Sequence, residues 1–105
     1  MTMTDRYEGK PFLRLVDAYV LDLIGALDPA TAQGMAALEP RLRGTFSAPE
    51  DASWQEIVRG QLQLDDPQVH SIREAWSRQL LEDDGFGKPH DPVAWAYAVS
   101  DQMTS

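Results

Sequence analysis

The stretch PFLRLVDAYVLDLIGAL, residues 11–27, decides the fold. Phe12, Leu15, Val16, Tyr19, Val20, Leu23, Ile24 and Leu27 recur at steps of three and four, which places them along one side of a helix. Pro11 suits the first helical turn, where a missing N–H loses no partner. Arg14, Asp17 and Asp22 mark the opposite side, but Ala18, Leu21 and Gly25 lie among them, so the polar face is weak. A second layer or a second subunit is expected to cover part of it. Residues 1–9 are polar and aperiodic and read as a flexible arm, leaving 10–105 as a single helical domain.

Downstream, Asp-Pro pairs punctuate the chain at Asp28-Pro29, Asp66-Pro67 and Asp91-Pro92. A carboxylate at an N-cap accepts free backbone N–H groups, and proline at the next position presets the helical φ, so each pair reads as a helix start. The first opens a helix over 29–44 whose stripe is Met35, Leu38, Leu42 and Phe46. Pro40 would clash there with the Ala36 carbonyl, predicting a kink or break near residues 37–39, and Gly44 marks the end. Ser53-Trp54-Gln55-Glu56 is a capping box that starts a helix over 54–63 with Trp54, Ile57, Val58 and Leu62 inward. Asp66 opens a helix over 67–84 with Val69, Ile72, Trp76 and Leu80 inward and Gly85 as its C-cap. Val93, Trp95, Tyr97 and Val99 alternate with alanines in the strand period of two. Alanine nonetheless favours helix, and no other run offers a strand to pair with, so 92–102 reads as helix. The fold expected is all-α, a compact bundle of four to five short helices around the first.

Composition narrows the function. The chain has 105 residues, and folding at that length hides roughly 60 to 70% of the unfolded surface, enough for one modest core. The absence of cysteine excludes a disulfide scaffold, a thiol nucleophile and cysteine-based metal centres. The longest apolar run, Val93 to Val99, falls far short of the roughly 20 residues a membrane span needs. The opening residues lack the apolar core of a secretory signal, so the reading is cytoplasmic. A net charge of −8 opposes binding to nucleic acid or an anionic membrane, and suits either solubility or a basic partner.

Candidate chemistry is sparse. His70 and Glu74 stand four apart on one helix, a spacing that lets two side chains share a metal, but further ligands are not apparent and a solvated pair is the ordinary reading. Glu82-Asp83-Asp84-Gly85 lacks the alternating acids and distal glutamate of a calcium loop. His90-Asp91 resembles a base with its orienting acid, though without a nucleophile elbow. Gly85-Phe86-Gly87-Lys88 lacks the strand and helix that make a phosphate cradle. No cofactor motif is present. The aromatic set says more. Tyr19, Trp54, Trp76 and Trp95 either pack as the core of the bundle or line a groove or interface, together with Phe12 and Leu21. Trp54, beside the 47–52 loop, is the residue best placed for a groove that takes a partner helix or a small apolar ligand.

Residues 11–25 and Ser53-Trp-Gln-Glu-Ile-Val58 resemble small uncharacterised bacterial all-helical proteins of about 100 residues. That resemblance implies a helical fold and a bacterial source and no particular activity. The seven arginines against two lysines agree with a bacterial origin. Sparse chemistry and a weakly polar first helix together point to a non-enzymatic interaction module, a homodimer through that helix. The alternatives are an immunity or antitoxin-type inhibitor of a basic toxin, and a metal-dependent enzyme or metal-binding protein using His70, Glu74, His90 or the acidic run.

Overall fold

A computed structural model describes residues 7–83 and 91–104. They form five helices: α1 Pro11–Leu23, α2 Pro29–Thr45, α3 Trp54–Leu62, α4 Asp66–Asp83 and α5 Pro92–Thr104. There is no strand among the described residues, so the all-α expectation holds and the alternating segment after Asp91 is a helix. Every other helix packs on α1, most extensively α5, and α2 also packs on α3. The consequence for α1 is unusual for a helix in so small a protein. All six residues from Leu15 to Val20 are buried, so the middle of α1 has no solvent face. Val16, Val20 and Val58 are fully enclosed, and burial of each stabilises the fold by roughly 1.5–3 kcal/mol.

The helix starts follow side-chain chemistry. Thr31 donates its N–H to Asp28 Oδ2 at 2.9 Å and its hydroxyl to Oδ1 at 2.6 Å, capping α2. Asp91 Oδ1 accepts from the N–H groups of Val93 and Ala94 at 2.9 and 3.3 Å, capping α5. Ser53 Oγ accepts the Glu56 N–H at 3.2 Å, as the capping box requires. The expected cap at Asp66 is displaced by one residue. Asp65 accepts the Gln68 N–H at 2.9 Å while Gln68 Oε1 accepts the Asp65 N–H at 2.8 Å, so the reciprocal box is built on Asp65. Gln68 decides between the two adjacent aspartates because it lies three residues beyond Asp65. Asp66 is left in the first turn, where it pairs with Arg59, whose Nε also donates to the Leu64 carbonyl at 3.1 Å. That arginine ties the end of α3 to the start of α4.

The ends of α1, α2 and α3 share one device. α1 stops at Leu23 and not at Leu27, because Gly25 takes a left-handed φ of 74°. Ala26 then donates to the Leu21 carbonyl at 2.9 Å and Gly25 to that of Asp22 at 3.2 Å, the paired bonds of a Schellman ending. The same pairing ends α2 around Ser47 and α3 around Gln63, with φ of 54° and 57°. Gly44, expected at the end of α2, lies within the helix, and Gly85 lies outside the described residues.

α2 runs through Pro40 without the expected break. Ala36 and Pro40 are both exposed, so the carbonyl that proline leaves unpaired lies on the solvent side of the helix. Just before it, Glu39 reaches across to accept the Trp54 N–H at 2.9 Å and pairs with Arg43 at 3.5 Å, while Arg43 Nε donates to the Ala52 carbonyl at 2.8 Å. These contacts clamp the 46–53 connection onto α2 and align the start of α3.

On the far side of α1, Ala96 and Ser100 are fully buried in α5, two small residues one turn apart. The Ser100 hydroxyl has no hydrogen-bond partner among the described residues. Three outcomes follow for thermal or denaturant unfolding. Gln63→Gly relieves the left-handed strain and raises stability by about 0.5–1 kcal/mol. Ser100→Ala is neutral or stabilising, because the hydroxyl's lost hydration is not repaid. Asp65→Ala lowers the melting temperature more than Asp66→Ala does; equal effects would contradict the cap on Asp65.

Candidate functional site

A groove of about 560 Å³ opens between α1, α2 and α5. Its floor is the weakly polar side of α1, where Arg14, Asp17, Ala18 and Leu21 follow one another at steps of three, one and three. One wall comes from α2, whose Thr31, Gly34, Met35 and Leu38 share a face, and the other from Val93 and Tyr97, one turn apart on α5. Leu27 and Asp28 close one end and Tyr7 lines the groove from the turn that precedes α1. The lining is therefore mixed, with apolar side chains from all three helices beside the charged Arg14, Asp17 and Asp28. The volume falls within the range of ligand clefts.

Two features mark the groove as more than a packing gap. Leu38 and Val93, on opposite walls, are 37% and 39% exposed, and each carries apolar surface that the described residues do not cover. Asp17, by contrast, is only 2% exposed although it carries a carboxyl group. The Tyr7 phenol hydrogen-bonds both Asp17 and Tyr97, joining the residues before α1, α1 itself and α5. Burial, followed by the Asp17 bond, raises the Tyr7 phenol well above its ordinary 10.0, so it stays a protonated donor at any physiological pH. The Arg14 guanidinium lies 5.3 Å from the centre of the same ring. Tyr7, expected within a flexible arm, is thus the residue that connects the groove to the buried acid. At the other end the Asp28 carboxyl is held below its usual range, first by the Thr31 hydroxyl and then by the Thr31 N–H.

The residues singled out from sequence distribute differently. Leu21 lines the groove. Trp54 does not: at 2% exposure it is enclosed in the core, because α3 presents Trp54, Ile57 and Val58 inward against α1. Tyr19 is also buried, and its phenol is raised by that burial against the opposing charges of Arg59 and Arg73. Trp76 and Trp95 stack at 5.2 Å with their planes 53° apart, joining α4 to α5, and Phe12 meets Phe46 at 5.7 Å. Most of the aromatic set thus tightens the bundle.

A second, smaller cleft of about 330 Å³ lies between α1, α3 and α4, lined by charged groups including Asp22, Arg59 and Arg73. His70 borders it, and its Nε2 stands 2.7 Å from Glu74 Oε1 on the exposed side of α4. The two satisfy one another, and among the described residues no group of three potential ligands forms around them. The acidic run from Glu82, the glycine-rich stretch and His90 fall outside the described side chains.

No family model matches the chain, and neither does a curated protein or a solved structure. Among the described residues no helix is long and apolar enough to cross a membrane.

Tyr7→Phe removes a donor from the buried Asp17 and is expected to lower stability by about 1–3 kcal/mol in urea unfolding. The parent also loses stability as pH rises above 10, because the unfolded chain releases the Tyr7 proton there while the folded protein retains it. Tyr7→Phe flattens that alkaline loss; an unchanged slope would show that the phenol is not held in this way.

Proposed function

We propose that the protein is a non-enzymatic binding module of the bacterial cytoplasm, and that it engages a protein partner through the groove between α1, α2 and α5. The observation that carries this reading is the pair Leu38 and Val93, which hold exposed aliphatic surface on facing walls, above a floor where Ala18 and Leu21 stand beside Arg14 and Asp17. Exposed apolar surface concentrated in a concave site favours a partner, since its burial supplies the main driving force for association. The buried carboxyl and its tyrosine partner are read as structural, because they join elements and bring no nucleophile or paired base to the groove. Nucleic acid is disfavoured as a partner by the charge of −8.

For the homodimer expected through the first helix, Leu15, Val16, Tyr19 and Val20 are covered by the other helices of the same chain, so the groove side of α1 at Leu21 is the part we propose for a second copy. The acidity supports a second reading, an immunity or antitoxin-type inhibitor, in which charge steers encounter with a basic toxin. It differs from the first in what the partner does and not in how the groove binds.

Affinity capture from the source organism tests the reading when parent and variants are compared. A partner retained by the parent and by Leu81→Asp, which alters an exposed leucine away from the groove, is expected to be lost with Leu38→Asp and with Val93→Asp. Retention by all four proteins would remove the groove from the interface. Light scattering that gives twice 11.7 kDa at micromolar concentration for the parent, and the monomer mass for Leu38→Asp, would assign the groove to a second copy.

A further inference from the structure

The groove's own chemistry specifies its occupant further, on the reading that it binds a protein partner. We infer that it receives an amphipathic helix whose apolar stripe is flanked by lysine or arginine.

The backbone argument comes first. A segment that binds by strand addition needs an unpaired strand edge for its N–H and C=O groups, and the described residues contain no strand. A helix satisfies those groups internally and brings only side chains to the site. The steric argument agrees. Ala18 on the floor and Gly34 on the α2 wall are small, and a Cβ added at Gly34 would meet nothing within 4 Å. Gly34, exposed and facing open space, lets a helix approach the α2 wall closely, with its aliphatic side chains seated between Leu38 and Val93 and over Leu21.

The charge argument sets the flanks. Asp17 lies in the floor, Asp28 at one end, and the chain as a whole carries −8. Arg14 is the single base among the lining residues, and its guanidinium lies against the Tyr7 ring. The thirteen lining residues therefore hold two acids and one base. A cationic helix gains attraction on approach and at the rim of this groove, and an acidic helix with the same apolar stripe is repelled.

The test uses three synthetic helices, each held helical by a hydrocarbon staple and each with leucines at positions i, i+3, i+4 and i+7. They differ only in carrying lysine, glutamine or glutamate on the polar face. Affinity is read by fluorescence anisotropy, and the site by amide shift changes in the 15N-labelled full chain. The lysine helix is expected to bind at least about tenfold tighter than the glutamine helix at low salt, with the preference shrinking at high salt. The glutamate helix is expected to show no binding. Shifts should centre on Ala18, Leu21, Gly34, Leu38 and Val93, and Gly34→Phe, whose Cβ enters open space, should abolish them while the remaining amide spectrum keeps its folded dispersion. Equal affinity of the lysine and glutamine helices overturns the basic flanks. Shifts scattered over the acidic surface, or binding that survives Gly34→Phe, overturn the site. Failure of all three to bind overturns the helical occupant. None of these outcomes decides the groove itself, which stands or falls on the Leu38 and Val93 capture experiment.

Discussion

The structure depends on the enclosure of α1. Six consecutive residues from Leu15 to Val20 have no solvent face, and a single neighbouring helix cannot achieve that, since it covers only one stripe. α2, α3, α4 and α5 must all lean on α1, and the bundle is therefore radial, with one axis and four flanking rods. Its details follow from that demand. Ala96 and Ser100 are small where α5 comes closest, and the Glu39–Arg43 clamp fixes the short connection that brings α3 back against α1. Enclosure also forces a carboxyl group inside, because position 17 falls on a side that would be solvated in an ordinary amphipathic helix. Tyr7 answers that cost by donating a hydrogen bond to it.

Much of the fold was legible because helix starts are local events. Asp28, Ser53 and Asp91 act within three residues of themselves, so composition and spacing suffice to find them. Asp65 shows where this stops: two adjacent aspartates can each serve, and the choice rests on which one has a glutamine three residues on. Helix ends were less legible. Glycine advertises a left-handed residue, but Ser47 and Gln63 adopt the same conformation at a cost that packing repays, and nothing in their identity announces it. Pro40 misled for the opposite reason, since its local penalty is small where its lost hydrogen bond lies on the exposed side.

The site was legible only as an irregularity. Arg14, Asp17, Ala18 and Leu21 form a face of α1 that is neither polar nor apolar, and the groove lies on that face. Its completion was out of reach, because Tyr7, Leu38, Val93 and Tyr97 come from three other segments and meet only in the folded chain. The tryptophans drew attention for their size, and size is what put Trp54 in the core. Leu38 was assigned inward on its period along α2, and the structure leaves it partly exposed in the lining of the groove.

The radial plan also constrains when the protein can become itself. α1 is made early, yet its most extensive neighbour, α5, begins about 80 residues later, at Pro92. Until that segment leaves the ribosome, the most apolar helix of the chain stays partly uncovered, next to a carboxyl group whose tyrosine partner is tied to α5 through Tyr97. Closure of such a long loop precedes its energetic reward, which slows folding and exposes the intermediate to aggregation. A helix whose most extensive neighbour lies so far along the chain thus sets slow closure against a tightly enclosed axis.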